Sequence, residues 1–200
     1  MNVLTFFLLQ HARFHCADVA DKDSLTERIL NKVTDDQMRF RPAKGLNSVA
    51  WLLWHMARTE DVAVNLVVTD GRQVLDDGWT TRLNVPRRDI GTGMTENEVA
   101  DLTARVDLVA VRAYRDAVGR RTREVAAALP ATAWDEAVGS GDLRRAQQQG
   151  AFGAVAELIA QEWQDKPRAV RLGATAVGHN AMHLGEAVTI LSQAGPQTGR

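Results

Sequence analysis

The chain has 200 residues, of which 45% are hydrophobic, and a formal net charge of −1 at pH 7. A chain of this length can bury its own core as one domain, and its near-neutral charge argues against nonspecific attraction to nucleic acid or to anionic membranes. No apolar run approaches the ~18 residues that a membrane-spanning helix needs. The single cysteine, Cys16, fits a reducing cytoplasm. We therefore expect a cytoplasmic protein with one domain over residues 1–195 and a short tail over residues 196–200.

The N-terminal part of the chain carries two helical patterns. Residues 2–18 place His11 and His15 on one side of a first helix, together with apolar side chains. Ser24 then offers an N-cap for a shorter helix over residues 25–33.

A second long helix is predicted over residues 48–68, after a connection at residues 34–46 that contains a proline and a glycine. At 100° per residue, His55 lies in the middle of the inward-facing stripe of this helix, whereas Glu60 and Asp61 point away from the stripe. His55 therefore has the position that a buried metal ligand would take.

A third long helix is predicted over residues 95–129, after a loop at residues 73–94 that shows little periodicity. Loops of this length tend to form crossovers or the walls of sites, and Trp79 within it is expected to pack onto the domain. Val109 and Ala113 are predicted to belong to the buried stripe of the helix.

The last long helix is predicted from about Pro167 to about Gln193. It follows a second long connection, residues 130–150, and a shorter helix over residues 151–163, and its inward stripe is expected to include Met182. The predicted fold class is all-α: a four-helix bundle with long crossover loops and a short extra helix before the last helix.

Two histidines of this last helix, His179 and His183, are four residues apart, so their side chains lie on the same face about one turn from each other. Glu186 follows one turn later on the same stripe. The HxxxH pair alone is a weak motif, because His11 and His15 show the same spacing. At this point two helical histidines hydrogen-bonded within a core are an equal alternative to a metal site.

A third inward histidine, His55, favours the C-terminal pair as a metal site. Three neutral imidazoles with open coordination positions are typical of catalytic zinc, and they also suit nickel, manganese or iron. Water bound to such an ion can have a pKa of about 7, and a bound thiol loses its proton. The sequence lacks the Glu-x-x-His pairs of di-iron bundles, the HExxH motif and phosphate-binding glycine loops.

Two segments resemble the DinB-like superfamily, which includes the mycothiol-dependent maleylpyruvate isomerases. Residues 47–61, Asn-Ser-Val-Ala-Trp-Leu-Leu-Trp-His-Met-Ala-Arg-Thr-Glu-Asp, resemble its helix-two signature. Residues 179–186, His-Asn-Ala-Met-His-Leu-Gly-Glu, resemble its last-helix HxxxH segment, and the order of one histidine followed more than 100 residues later by HxxxH also matches. Leu184 departs from the family in a place often taken by arginine, and His11 and His15 lie outside its pattern.

The resemblance implies a four-helix bundle, often dimeric, with a divalent metal held by His55, His179 and His183. Zn²⁺ is the expected ion, with nickel, manganese or iron as alternatives. The resemblance also implies an S-transferase or isomerase that activates mycothiol, another low-molecular-weight thiol, or water for attack on a small electrophile. Glu186 is the candidate for orienting a ligand histidine or receiving a proton. The alternatives are a non-catalytic metal- or ligand-binding bundle and a metal-free structural dimer.

Overall fold

The structure is a computed structural model of the chain, and it describes residues 1–15, 19, 24–43 and 45–195. The predicted C-terminal tail and Cys16 lie outside these residues. The α-helices are α1 (Val3–Ala12), α2 (Leu25–Leu30), α3 (Asp35–Arg39), α4 (Val49–Asp61), α5 (Asp77–Leu83), α6 (Glu96–Arg105), α7 (Leu108–Ala128), α8 (Ser140–Gln148), α9 (Ala156–Trp163), α10 (Arg168–Leu172) and α11 (Asn180–Gln193). Two π-helical segments continue α4 and join α10 to α11: π1 (Val62–Val68) and π2 (Gly173–His179). Two 3₁₀ turns cover Ala131–Trp134 and Gly153–Val155.

The predicted all-α class is confirmed, because the described residues form no β-strand and only one isolated bridge, between Ala137 and Pro167. In the part of the chain that the structure describes, no helix is both long enough and apolar enough to cross a membrane. Among the described residues, the four long helices predicted from the sequence correspond to α1, to α4 with π1, to α6 with α7, and to α10 with π2 and α11.

The helix formed by α4 and π1 runs through the centre of the domain. It begins at Ser48, whose hydroxyl accepts a hydrogen bond from the backbone nitrogen of Trp51 at 3.1 Å. Every one of its residues is buried, because α3, α6, α7 and α11 all pack against α4. The sequence predicts that Glu60 and Asp61 point away from the buried stripe. Both side chains are nevertheless buried, because neighbouring helices also cover that side.

Asp61 shows how a carboxylate is accommodated in this central helix. Its oxygens accept hydrogen bonds from the Tyr114 hydroxyl at 2.6 Å and from the backbone nitrogens of Val74 and Leu75 at 2.8 and 2.9 Å. The guanidinium of Arg58 lies 3.1 Å from the same carboxylate. A buried carboxylate with this many donors is well compensated, and it ties the loop after π1 to the helix.

The first helix ends earlier than predicted, at Ala12, because the chain turns and the carbonyl of Arg13 accepts a hydrogen bond from the backbone of Leu25 at 2.7 Å. The α2 helix starts at its predicted cap but ends at Leu30. The predicted connection after it contains α3, which begins with a capping box that Thr34 forms with the third residue of the helix.

The predicted third helix is two helices, because the chain breaks at Val106 and restarts with Asp107 as the N-cap of α7. The break changes the helical phase, so Val109 is 79% exposed and Ala113 is also exposed, contrary to the prediction. Trp79 does pack onto the domain, with its ring centroid 5.2 Å from that of Tyr114. The two long connections predicted on either side contain α5 and α8.

The last helix agrees with its predicted span, since α10, π2 and α11 follow one another from Arg168 to Gln193. The π-helical turns of π2 alter the phase of the buried stripe. Met182, which was predicted to face inward, is 60% exposed, whereas His183 is buried. Single π-helical turns occur often at functional sites.

Candidate metal centre

Three histidines from two helices meet at one point of the domain: His55 from α4, His179 from the end of π2 and His183 from α11. The Nε2 atom of His179 lies 3.1 Å from the Nε2 atom of His55 and 3.1 Å from that of His183. The three side chains are close enough for one nitrogen of each to bind a single ion. The structure thus brings together the three histidines that the sequence proposes as ligands, and their role as ligands stays a prediction.

The orientation of His55 is set by a backbone carbonyl. Its Nδ1 atom lies 2.5 Å from the carbonyl oxygen of Ile90, in the loop after α5. A carbonyl oxygen can only accept, so Nδ1 carries the proton and Nε2 is left with a lone pair. Trp51 stacks on the ring, with centroids 4.6 Å apart, and holds its plane.

The orientation of His183 is set by Glu186, one turn further along α11. The Nδ1 atom of His183 donates to a carboxylate oxygen of Glu186 at 2.8 Å, and the Asn47 side-chain amide donates to the other oxygen at 3.2 Å. The hydrogen bond from His183 lowers the pKa of Glu186, which therefore stays ionised at neutral pH. The Nε2 atom of His183, like that of His55, consequently presents a lone pair to the cluster.

Hydrogen bonds alone do not satisfy this meeting point of three nitrogens. Only the Nε2 atom of His179 can carry a proton there, and one proton serves one of its two contacts, to His55 or to His183. The other nitrogen of His179, Nδ1, is buried and has no partner in the part of the chain that the structure describes. A divalent cation would accept all three lone pairs, and three histidines with open positions are a donor set of catalytic zinc. The residues therefore fit a divalent metal.

Burial keeps the imidazoles of His55 and His179 neutral, which is the form that binds metal. It lowers the pKa of His55 to about 4 and the pKa of His179 to about 2, since both rings are taken out of water and lie beside other histidines. At neutral pH the lone pairs are consequently available without the loss of a proton.

A cavity of about 270 Å³ opens onto the histidines from one side. Its walls come from the loop after α5, from α9, and from α10 with π2, and they include His55, His179, Ile90, Thr92, Trp163 and Arg171. The volume lies near the lower end of small-molecule sites. The loop predicted to form a crossover or a site wall contributes Ile90 and Thr92 to the wall of this cavity.

A second cluster, with the same kinds of residue, lies deeper in the domain. Its members are His11, His15 and Glu60, all fully or almost fully buried, and their geometry also allows a metal ion. Here, however, each histidine Nε2 faces a carboxylate oxygen, at 3.0 Å for His11 and 3.1 Å for His15. The hydroxyl of Thr122 and the amide of Asn180 donate to the same carboxylate at 2.7 and 3.0 Å. Four donors thus satisfy Glu60 without an ion.

The charge of Glu60 is maintained by these neighbours. Burial alone would raise its pKa, but the interactions with His15 and His11 outweigh burial and hold the pKa of Glu60 well below its ordinary value. Because Asn180 directly follows His179 and Glu60 belongs to the same helix as His55, this hydrogen-bonded cluster joins the two helices that carry the candidate ligands.

Several contributors to the two clusters are absent from the predicted site, among them Ile90, Asn47 and Glu60. The carbonyl of Ile90 leaves no mark in a sequence, since every residue has one. Asn47 adjoins the capping residue of α4, a position that reads as a cap rather than as a partner of the distant Glu186. Glu60 is five residues beyond His55, so a helical projection places it on another face.

A family model of the DinB superfamily matches residues 23–187, which include all three histidines of the candidate metal centre. The solved structure of a conserved protein from Enterococcus faecalis is similar in fold, with a TM-score of 0.69 and 20% identity over 97% of this chain and 98% of that chain. No curated protein matches the chain. Because the family model covers most of the sequence, the chain belongs to the DinB superfamily.

Proposed function

We propose that this protein is a metal-dependent enzyme in which His55, His179 and His183 bind a divalent metal, with Zn²⁺ as the expected ion. The reaction would be thiol-dependent S-transfer or isomerisation, with mycothiol or a similar low-molecular-weight thiol, or water, attacking a small electrophile. The observation that supports this proposal is the convergence of three imidazole nitrogens, two of them with fixed tautomers, beside a cavity. A bound divalent metal would supply an ionised thiol or water at neutral pH.

The residues around the histidines have distinct roles in this proposal. Ile90 and Glu186 hold the Nδ1 protons of His55 and His183 and so direct both Nε2 atoms to one point. Glu186 contacts the side of the His183 ring that faces away from the other histidines. An orienting role is therefore favoured for Glu186 over that of a base acting on the substrate.

Metal content tests the proposal most directly. Protein without a histidine tag would be purified without chelator, and its metal would be measured by plasma mass spectrometry. We expect about one metal per chain in the wild type, loss of the metal in His55→Ala and His183→Ala, and its retention in His11→Gln. The last variant alters the deeper cluster, so loss of metal only there would assign the metal to that cluster instead. A wild type that stays metal-free after reconstitution with zinc, nickel and manganese would overturn the proposal.

Turnover then separates an enzyme from a metal-binding bundle. A panel of low-molecular-weight thiols with a generic electrophile, such as an activated chloroarene, would be assayed with metal-loaded protein. We expect thiol transfer in the wild type and its loss in His55→Ala. Metal binding without turnover of any thiol would favour the alternative, a non-catalytic metal- or ligand-binding protein. Equal turnover in His55→Ala would contradict the proposed chemistry.

A further inference from the structure

Arg171 is a poorly compensated cation in the wall of the cavity beside the histidines. It is only 5% exposed, and within the described residues its guanidinium makes no hydrogen bond. The nearest carboxylate, that of Glu162, is 3.9 Å away and largely exposed to solvent. The Nε atom of Arg171 is buried without a partner, and burial lowers the pKa of the side chain. A buried charge in this position is costly unless something pairs with it.

The contact of this guanidinium with Trp163 leaves its donors free. Arg171 lies over the ring of Trp163, 4.3 Å from the centroid. Such stacking stabilises the cation through its face and fixes its plane, but it uses none of the five N–H groups. Thr59 lines the same cavity, and no described residue hydrogen-bonds to its buried hydroxyl. Two polar side chains that lack hydrogen-bond partners therefore belong to one cavity.

We propose that this cavity binds a small organic monocarboxylate, whose anionic group pairs with Arg171 while its other end extends toward His55 and His179. A guanidinium forms two parallel hydrogen bonds with a carboxylate, and the apolar side chains of Ile90, Ile159 and Trp163 in the cavity wall strengthen the pair by lowering the local dielectric constant. Among the described residues that line the cavity, Arg171 is the one cation, and the nearby carboxylate of Glu162 would repel additional negative charge. A ligand with a single negative charge therefore fits better than a phosphate, which carries up to two negative charges. The cavity of about 270 Å³ admits only a small molecule.

This inference deepens the proposed function, because it names the substrate class of the same site, and it depends on that function only for the reaction that follows binding. Binding of the carboxylate itself requires no metal. The test therefore uses metal-free protein that has been desalted to remove chelators, since common chelators are themselves carboxylates. The probes are butyrate, its neutral analogue butyramide, and inorganic phosphate.

Binding would be followed by tryptophan fluorescence, with Trp163→Phe as the check that the signal arises beside Arg171. We expect butyrate to bind the wild type and to bind Arg171→Met at least about tenfold more weakly, because charge-assisted hydrogen bonds are lost. Arg144→Met, which alters an exposed arginine of α8, serves as the matched control and should bind butyrate as the wild type does. Butyramide should bind the wild type far more weakly than butyrate does.

Two further variants keep the test decisive if Arg171→Met folds poorly by circular dichroism. Arg171→Lys retains the charge without the fork and should show intermediate affinity. Glu162→Gln removes the competing carboxylate and should bind butyrate more tightly than the wild type. Equal binding of butyrate and butyramide, tighter binding of phosphate, or no binding at all would overturn the inference. If any of these results were found in a protein that binds metal normally, the carboxylate site would be refuted and the proposed metal centre would stand. If butyrate bound but the protein took up no metal, the metal centre would be refuted and the carboxylate site would stand.

Discussion

Replacing Glu60 with glutamine tests whether the deeper cluster is a hydrogen-bonded network that needs its negative charge. The substitution keeps the shape of the side chain and exchanges one carboxylate oxygen for an amide nitrogen. In the native protein one oxygen accepts from His11 and Thr122, and the other accepts from His15 and Asn180. An amide nitrogen in either place would face two groups that donate to the native carboxylate, and of these groups the Thr122 hydroxyl can also accept.

The size of the effect follows from these four contacts. Hydrogen bonds to a charged group contribute about 1.5–3 kcal/mol each, so losing two costs about 3–6 kcal/mol. One histidine can relieve part of this by moving its proton to Nδ1, which in both His11 and His15 is buried and has no partner among the described residues. The amide of Asn180 has less freedom, because its oxygen already accepts from Arg115 at 3.0 Å. We therefore expect Glu60→Gln to lower the free energy of unfolding by about 2–4 kcal/mol.

Urea unfolding of metal-free protein, followed by circular dichroism, measures this loss. The matched control is Glu124→Gln in α7, since Glu124 is largely exposed and, among the described residues, forms its ion pair with Arg121 at the surface. The control should change the stability by less than about 0.5 kcal/mol. If Glu60→Gln were as stable as the control, the network would not depend on a charged carboxylate, and the cluster would need another explanation such as a bound cation.

Two further substitutions test one cluster each: Glu186→Gln tests the hydrogen bond to His183 in the candidate metal centre, and Gly119→Ala tests the packing around His15 in the deeper cluster. Glu186→Gln should weaken metal binding by about 10- to 100-fold in a competition titration, because it weakens the hydrogen bond that orients His183, and an unchanged affinity would refute that role. Gly119→Ala should destabilise the protein by about 1–3 kcal/mol, because its new Cβ would lie 2.5 Å from Nδ1 of the buried His15. Gly185→Ala, on the exposed face of α11, is the matched control, because its new Cβ meets nothing within 4 Å, and it should stabilise the protein by about 0.5–1 kcal/mol. Thermal unfolding measures both variants, and a lower melting temperature for Gly185→Ala than for Gly119→Ala would contradict this packing.

The features that can be predicted from the sequence are those that depend only on the residue spacing within a single helix. The spacing of His179 and His183 and the central place of His55 in its stripe are local properties, and the structure brings the three together. The helix that carries His55 also follows its predicted span, because Ser48 caps its start and apolar residues lie both before and after the polar residues 58–61. The homodimer and the cytoplasmic location stay predictions, since nothing in the structure of one chain bears on them.

The features that escaped prediction depend on contacts between distant segments. The burial of Glu60 depends on donors from three other parts of the chain, and no projection of a single helix contains them. The break before Asp107 also escapes prediction, because the sequence on both sides of it has the pattern of one long helix. That pattern places Val109 in the core, whereas the new helix that Asp107 caps places Val109 on the exposed side of α7. Arg171 looks like an ordinary surface residue until α9 places Trp163 against it.

The buried histidines also predict how the metal-free protein responds to acid. Burial lowers the pKa of His15 from 6.5 to about 3 and the pKa of His55 from 6.5 to about 4. At a pH between the folded pKa of each histidine and its unfolded value of 6.5, the unfolded chain binds more protons than the folded one. The free energy of unfolding therefore falls as the pH falls below about 6.5. Each such histidine contributes a slope of up to about 1.4 kcal/mol per pH unit.

Glu60 extends this loss to lower pH with the same sign. Its folded pKa lies well below 4.5, so its stabilisation is present above that value and is lost as the pH falls toward the folded pKa. Urea unfolding of metal-free protein at pH 7.5, 6.5, 5.5 and 4.5 should therefore show little change in the first interval and a steepening loss in the next two. A flat profile from pH 6.5 to 4.5 would mean that His15 and His55 accept protons in the folded state, which their buried contacts should not allow.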